Sequence, residues 1–576
     1  MKRIPLIPYP KQWVLREEEL VIGVLCLRGD PCFVGMVRAL REEIHSAFGE
    51  TVLAPLSREE EITYGQRQGP DAVALFGGNF HPSEVPVISL EIRKAVHPMP
   101  EGYSLEISPE RMVITVGSSV DQGPSGSNKE KELAAAACAT VMQLLHFGWD
   151  GWRFVLPCGV ITDSPSLEWR GLMIDSARHF VPPSELKKIL SLAWLYKINR
   201  FHWHLTDDQG WRLELVQFPE LTEMGSERNG GDPFRNGFYT QEEVRDLVAY
   251  AADRGITVIP EIDLPGHAQA LLASHPEFSC TGGPFTVRTE WGIAEDVLCM
   301  GNPDVLPFVK QIWDEVCELF PGPYVHIGGD ECPTDRWEAC PRCRSKKESL
   351  GLEHWVDLHG YFIREITDYL TQKGKTVFGW DEVLDSTLPN GCNVVHWRAW
   401  LDEQSKRALA QGRDLVISPS FPYYFDFVQT QNRRQSPGIG YRSPAAASLQ
   451  YVYEFDPFGL LMPSNQEGGD ASPAPMTLRK SPGFDTEGAV ALAAGRFRGI
   501  QANVWTEFIR DPRRLEYMMF PRLLAIAETG WNGAGRSSYG DFVERLTAGH
   551  TGNGRGILAH RAVNYCPYYE GAPEGI

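Results

Sequence analysis

Nowhere among the 576 residues is there an apolar run of the roughly 20 residues that a membrane-crossing helix requires. A secretory leader is not expected either. Lys2 and Arg3 are followed by a short apolar stretch that Pro5, Pro8 and Pro10 interrupt, whereas such a leader needs roughly 7–15 unbroken apolar residues. A cytoplasmic protein is the expectation. Positive charge is short as well: 55 Lys and Arg against 75 Asp and Glu leave a formal charge of −20. An acidic surface repels phosphate backbones, which argues against nucleic acid as a partner. The twelve cysteines follow no regular framework, as expected of thiols in a reducing compartment. Cys332, Cys340 and Cys343 cluster locally and include a C-x-x-C. Three local ligands without a partner pair read as free thiols in a loop, so no metal and no cofactor is expected.

What the chain has is apolar and aromatic bulk. Hydrophobic residues make up 43%, and there are sixteen Trp. That is enough for a large core and too much chain for one ordinary domain. Residues 1–160 read as an α+β domain. Val21–Leu25, Ala72–Phe76 and Met112–Val116 are short β-type runs, Gly/Pro/Ser clusters separate them, and Glu132–His146 reads as a helix on that sheet. From Arg170 the texture changes. Eight short apolar runs alternate with helical patterns: Gly171–Ile174, Arg200–Leu205, Thr257–Ile262, Tyr324–Ile327, Thr376–Gly379, Asn393–Trp397, Asp414–Ser418 and Ile500–Val504. The intervening helices are expected at Pro183–Leu195, Gln241–Arg254, Pro303–Phe320, Trp355–Lys373 and Leu401–Gln411, with Leu515–Thr529 after the last strand. This alternation predicts a (β/α)8 barrel over 161–545. A Gly/Pro/Ser/Asn-rich insertion is expected near 457–494, and 546–576 is read as an extension packed on the barrel or frayed.

Polar and aromatic side chains gather at the ends of those runs: Asp175 and Arg178; Asp207 and Asp208; Asp263 and His267; Asp330 and Glu331; Trp380 and Asp381; Trp397 and Arg398; Tyr424 and Asp426; Trp505 and Glu507. In a parallel barrel all of them belong to one face, the catalytic one. The centre is His326-Ile327-Gly328-Gly329-Asp330-Glu331. Adjacent Cα atoms are about 3.8 Å apart, so both carboxyls reach one pocket. Two anions so close do not both ionise cheaply, so one pKa should rise, and a raised carboxyl can act as a general acid. A retaining glycosidase of the ordinary kind sets its nucleophile roughly 5–5.5 Å across from the acid. Consecutive residues do not obviously straddle a sugar in that way. That favours a substrate that carries its own nucleophile, such as a 2-acetamido group.

The hexapeptide resembles the signature of family 20 glycoside hydrolases, the β-N-acetylhexosaminidases. The resemblance extends through Trp169–Phe180, His202–Arg212, Glu261–His267, Gly379–Glu382 and Gln501–Glu507, and covers roughly 160–535. It implies exo-acting, retaining removal of terminal β-linked N-acetylhexosamine through an oxazolinium intermediate, with N-acetylhexosamine-terminated glycans as partners. It further implies Glu331 as acid and then base, and Asp330 as the partner of the acetamido N–H. Tyr424 would bond the acetamido oxygen, and His267 paired with Asp207 would contact Glu331. Trp380, Trp397 and Trp505 would wall the pocket. Arg178 would bind the 3- and 4-hydroxyls, and Asp426 and Glu507 the 4- and 6-hydroxyls. Pro422-Tyr423-Tyr424-Phe425-Asp426 leaves Tyr423 as an alternative to Tyr424. Preference between GlcNAc and GalNAc, the aglycone and the oligomeric state stay open.

Two other readings stand beside this one. His202-x-His204 on a strand, with His267, His326 and Asp330, resembles the ligand set of a zinc amidohydrolase. The pair lies within the strand, however, which favours histidines packed in the barrel wall. A non-catalytic sugar-binding relative would keep the aromatic walls and lose an acid, but both acids are present.

Overall fold

The computed structural model describes residues 4–49, 87–95, 101–117, 126–228, 235–401, 403–430, 446–461, 496–552 and 556–571. The Ala72–Phe76 run and most of the 457–494 insertion lie outside the described residues. Among the described residues, no helix is long and apolar enough to cross a membrane.

The first layer is a six-stranded mixed sheet. Its strands are β1 (Gln12–Ile22), β2 (Val24–Gly29), β3 (Val87–Lys94), β4 (Gly102–Ile107), β5 (Arg111–Gly117) and β6 (Phe154–Asp163), in the order β1-β6-β4-β5-β3-β2. The Val21–Leu25 run, read as one strand, is split between β1 and β2 at Gly23. β1 pairs with β6 on one edge, while β2 pairs with β3 on the other. The apolar run marks the end of one strand and the start of the next. Helices α1 (Val34–Phe48) and α2 (Gly126–Gly148) accompany the sheet. Ala134–Ala139, Val141, Met142, Leu144 and Leu145 of α2 are all buried. Its alanine-rich sequence lets the backbone pack closely.

The second unit is a closed parallel barrel. Its strands are β7 (Trp169–Asp175), β8 (Arg200–His204), β11 (Thr257–Glu261), β12 (Tyr324–His326), β13 (Thr376–Trp380), β14 (Asn393–His396), β15 (Leu415–Ile417) and β16 (Phe497–Val504). The numbers β9 (Thr206–Asp207) and β10 (Gly210–Trp211) belong to a small hairpin above β8. Each of the eight expected strands is present. Around the barrel run α3 (Pro183–Leu195), α4 (Gln241–Ala252), α5 (Val305–Leu319), α6 (Val356–Gln372) and α7 (Glu403–Ala410). α4 starts with a full capping box, in which Thr240 and Glu243 bond each other's backbone N–H. The expected helix Leu515–Thr529 is two helices, Pro512–Met519 and α8 (Arg522–Asn532). Pro521 lies between them, and a proline has no N–H to continue the ladder.

The barrel interior is filled rather than open. Trp169, Met173, Ile259, Phe378, Trp380, Val395 and Val416 form one inner cluster that reaches up to Tyr424 and Trp505. This plug supports the floor of the site from below.

Candidate active site

Two glycines set the central pair. Gly328 and Gly329 have φ of +65° and +92°. A Cβ at Gly328 would sit 1.7 Å from Asp263 Oδ1, so no other residue fits the turn that carries Asp330 and Glu331 off β12. Gly329 N–H donates to Asp263 Oδ1 at 2.9 Å. Glu331 itself has φ +42°, and His267 has +45°. Non-glycine residues rarely hold this conformation, and those that do cluster at functional sites.

The two acids lie in different surroundings. Asp330 is buried, whereas the Glu331 side chain is 36% exposed. Burial, then the facing carboxyl of Asp263, lifts Asp330 well above the ordinary carboxylate range, with His267 pulling the other way. The expectation that one member of the pair is raised therefore falls on Asp330. His267 bridges the pair: Nε2 is 3.6 Å from Glu331 Oε2 and 3.8 Å from Asp330 Oδ2, while Nδ1 is 3.2 Å from Asp207 Oδ1. Burial opposes charge on His267, but Asp207 and Asp330 outweigh it and hold the ring well above its usual value. Asp207, also buried, is kept well below the carboxylate range against its own desolvation by Arg178 and His267.

A cavity of about 540 Å³ opens above these residues, within the usual range for a small-molecule site. Arg178, His267, Asp330, Glu331, Trp397, Tyr424, Asp426, Trp505 and Glu507 line it. Arg178 Nη2 is 2.7 Å from Asp207 Oδ2, and Nη1 is 3.3 Å from Asp175 and 3.9 Å from Glu507. Its guanidinium lies 4.9 Å from the centroid of the Trp505 ring. Asp175 orders this corner by accepting from the backbone N–H of Ala177, Arg178 and Thr506, so the ends of β7 and β16 share one carboxylate. Tyr424 follows β15 and pairs with Asn503 of β16. Its ring stacks on Trp397 at 6.2 Å and 17°. Tyr423 instead packs against Phe455 and is not among the residues that line the cavity. Burial, then Glu507, raises Asp426 to about 8.

Two expected residues stand behind the cavity rather than on it. Asp207 does not line the cavity and instead contacts His267 and Arg178, which do. Trp380, expected as a wall, is fully buried; it backs Trp505 at 5.7 Å and donates from Nε1 to Glu261 Oε1 at 2.8 Å. Glu261 is the residue whose role the sequence did not disclose. His202 Nε2 (2.9 Å), His204 Nδ1 (2.6 Å) and His326 Nδ1 (3.0 Å) converge on it. These carboxylate contacts hold the histidines that resembled an amidohydrolase ligand set, and none of the three lines the cavity. Burial opposes charge on His204, but Glu261 and then Asp207 hold it up to about 10. His202 is driven down to about 4 by desolvation despite Glu261. His204 Nε2 also meets Asp207 Oδ2 at 3.1 Å, so the chain Glu261–His204–Asp207–His267 leads from the barrel interior to the acid pair. Alternation along Glu261-Ile262-Asp263 was the available signal.

Residues 167–534 match the family model described as "Glycosyl hydrolase family 20, catalytic domain". The chain belongs to this family. It is 37% identical to a beta-hexosaminidase of Porphyromonas gingivalis over 449 residues, 77% of this chain and 52% of that protein. It is 38% identical to one of Akkermansia muciniphila over 396 residues, 68% of this chain and 74% of that protein. The chain thus spans about half the length of the first relative and three quarters of the second. A family 20 exo β-N-acetylglucosaminidase of Vibrio harveyi, solved with N-acetylglucosamine, superposes with a TM-score of 0.75 at 28% identity, covering 97% of this chain and 78% of that one.

The rest of the rim was not singled out in the sequence of this family 20 chain. Gln209, which accepts from Arg178 Nε at 3.0 Å, and Trp291, Ile293, Trp400, Phe427 and Phe508 all line the cavity. They sit in loops of differing length, where neither periodicity nor motif marks them. The cysteine reading also needs correction. Cys332 lies against Gly266, apart from the other two. Cys340 and Cys343 instead meet Cys280 and Cys299. The missing pair lies 41 to 63 residues upstream, and the wide separation of Cys280 from Cys299 hides it from any C-x-x-C search.

Proposed function

We propose that this protein is an exo-acting, retaining β-N-acetylhexosaminidase that removes terminal non-reducing N-acetylhexosamine by substrate-assisted catalysis. The supporting observation is the division within Asp330-Glu331: one carboxyl at the mouth of the cavity, the other buried at its base beside His267 and Asp263. Glu331 protonates the glycosidic oxygen as the acetamido oxygen attacks C1 and the bond to the aglycone breaks. Asp330 accepts from the acetamido N–H. As positive charge builds on that nitrogen the ionised form of Asp330 becomes favoured, and the charged ring of His267 beside it pulls the same way. Tyr424 donates its O–H to the acetamido oxygen and keeps it aimed at C1. Glu331 then deprotonates a water that opens the oxazolinium ion at C1 and restores the β configuration. Trp505 and Trp397 exclude bulk solvent, which strengthens each polar interaction inside. Arg178, Asp426 and Glu507 hold the sugar hydroxyls, and the 4-hydroxyl, where GlcNAc and GalNAc differ, falls to this group.

The test is release of an aryl group from β-linked N-acetylglucosaminide and N-acetylgalactosaminide. Glu331→Gln should lose activity by about 10²–10⁴-fold. Asp330→Asn should also lose activity, and azide should not restore it, because no enzyme nucleophile is missing. A covalent sugar trapped on Asp330, or failure of the wild type on both glycosides, would overturn the proposal.

A further inference from the structure

Outside the cavity, four cysteine sulfurs come together with no established task. Cys343 Sγ lies 3.7 Å from Cys280 Sγ and 3.5 Å from Cys299 Sγ, and Cys299 Sγ lies 3.9 Å from Cys340 Sγ. All four sulfurs are within 4.8 Å of one another. Three are buried and Cys280 is partly so. Zn–S bonds of about 2.3 Å in a tetrahedron place sulfurs about 3.8 Å apart. A disulfide would instead draw two sulfurs to about 2.05 Å and leave the others behind. One similar spacing shared by three pairs fits four thiolates around a single ion.

The local structure is built for this. The bridge between Ser279 and Leu298 brings Cys280 and Cys299 side by side at the base of a loop, and Cys299 N–H donates to Phe278 O at 2.7 Å. Cys340 and Cys343 open the helix Pro341–Ser349, where a C-x-x-C spacing turns both sulfurs to one side. Gly301 N–H points at Cys343 Sγ at 3.4 Å. Gly301 is required for this approach, since a Cβ there would sit 2.1 Å from the Arg342 carbonyl carbon. Arg342 places its positive charge by Cys299 and Cys340, which would offset the double negative charge of a zinc tetrathiolate.

We propose that Cys280, Cys299, Cys340 and Cys343 bind one zinc ion, a structural clip at the rim of the candidate active site. With no position left for water, such a site does no chemistry of its own. Its location gives it a purpose. The loop it closes, between Cys280 and Cys299, carries Trp291 and Ile293, exposed apolar side chains that line the cavity mouth. The other arm begins nine residues after Glu331. The ion fastens the rim to the segment that leaves the acid pair. This inference does not depend on which substrate the cavity takes.

The test is metal analysis of the full chain, produced in zinc-supplemented medium and purified without chelator. One zinc per chain is expected, released by a mercurial thiol reagent. Cobalt in its place should show the strong visible bands of tetrahedral thiolate coordination. Cys299→Ser and Cys343→Ser should lose the ion and lower the melting temperature. Their KM should rise severalfold for substrates with a sugar aglycone, while kcat for an aryl glycoside stays near wild type. The wild-type and cobalt measurements decide the matter even if the variants fail to fold. Zinc-replete wild type with four reduced cysteines and no stoichiometric zinc overturns the proposal, as does peptide mapping that finds them as two disulfides.

Discussion

Asp330 and Glu331 are neighbours in the chain, yet one faces buried carboxyls and the other faces solvent. Local sequence does not set this difference; Asp263 and His267, from another strand end, do. The same holds for Tyr424 and Tyr423. Tyr424 lies on the cavity, whereas the Tyr423 hydroxyl is buried without a hydrogen-bond partner among the described residues. Tyr424→Phe should cut kcat by about 10²-fold, as removal of one transition-state donor does. Tyr423→Phe should leave kcat unchanged and be neutral or stabilising, because it deletes an unsatisfied polar group. Steady-state kinetics and thermal melts of the two variants compare them directly. Asp426 supplies a pH prediction. Its folded pKa of about 8 lies above the ordinary aspartate value. Between pH near 4 and 8 the folded chain keeps a proton that the unfolded chain has lost, so stability falls as pH rises through that window. Asp426→Asn should therefore match wild type in acid and gain on it steadily toward pH 8. The gap in pKa caps the gain near about 6 kcal/mol, and urea unfolding across the range reads it.

At the scale of elements, the bend after β12 is the most demanding piece of backbone. Gly328→Ala would combine a left-handed φ with a methyl group driven into Asp263. It should cost about 3 kcal/mol or more and disorder both acids together, seen as a lowered denaturation midpoint and lost turnover. Short, largely apolar runs alternating with helical patterns reported all eight barrel strands, because a parallel strand buried on both faces favours apolar side chains on both. The same signal failed where chemistry interrupts it. Gly23 divides one apolar run between two strands, and Pro521 divides one helical pattern into two helices. Rim residues such as Trp291 and Trp400 left no trace, since a loop has no period.

At the scale of the molecule, the first sheet and the barrel are joined by a buried charge. Lys197 Nζ, just before β8, lies 2.9 Å from Asp163 Oδ2 at the end of β6, and the Tyr103 hydroxyl and Trp531 Nε1 also bond Asp163. Neither charged side chain reaches solvent beyond a trace. Breaking a buried pair by removing one partner leaves the other charge uncompensated, so Lys197→Met should cost about 3–5 kcal/mol. Lys197→Met combined with Asp163→Asn should recover part of the loss, and denaturant unfolding of the set measures the coupling.

The sequence by itself determined the barrel, the face on which its chemistry lies, and most of the side chains there, because period and strand-end position are local properties of a chain. Tertiary structure decided which of two adjacent acids is buried, which tyrosine meets the cavity, why three histidines gather on Glu261, and which two distant cysteines complete the cluster with Cys340 and Cys343. Each of these depends on the dielectric and the neighbours that other strand ends supply, and those are properties of the folded molecule. The pair at the end of β12 could be found by reading the chain, but the unequal surroundings of its two carboxyls come from Asp263, His267 and Asp207 closing around it.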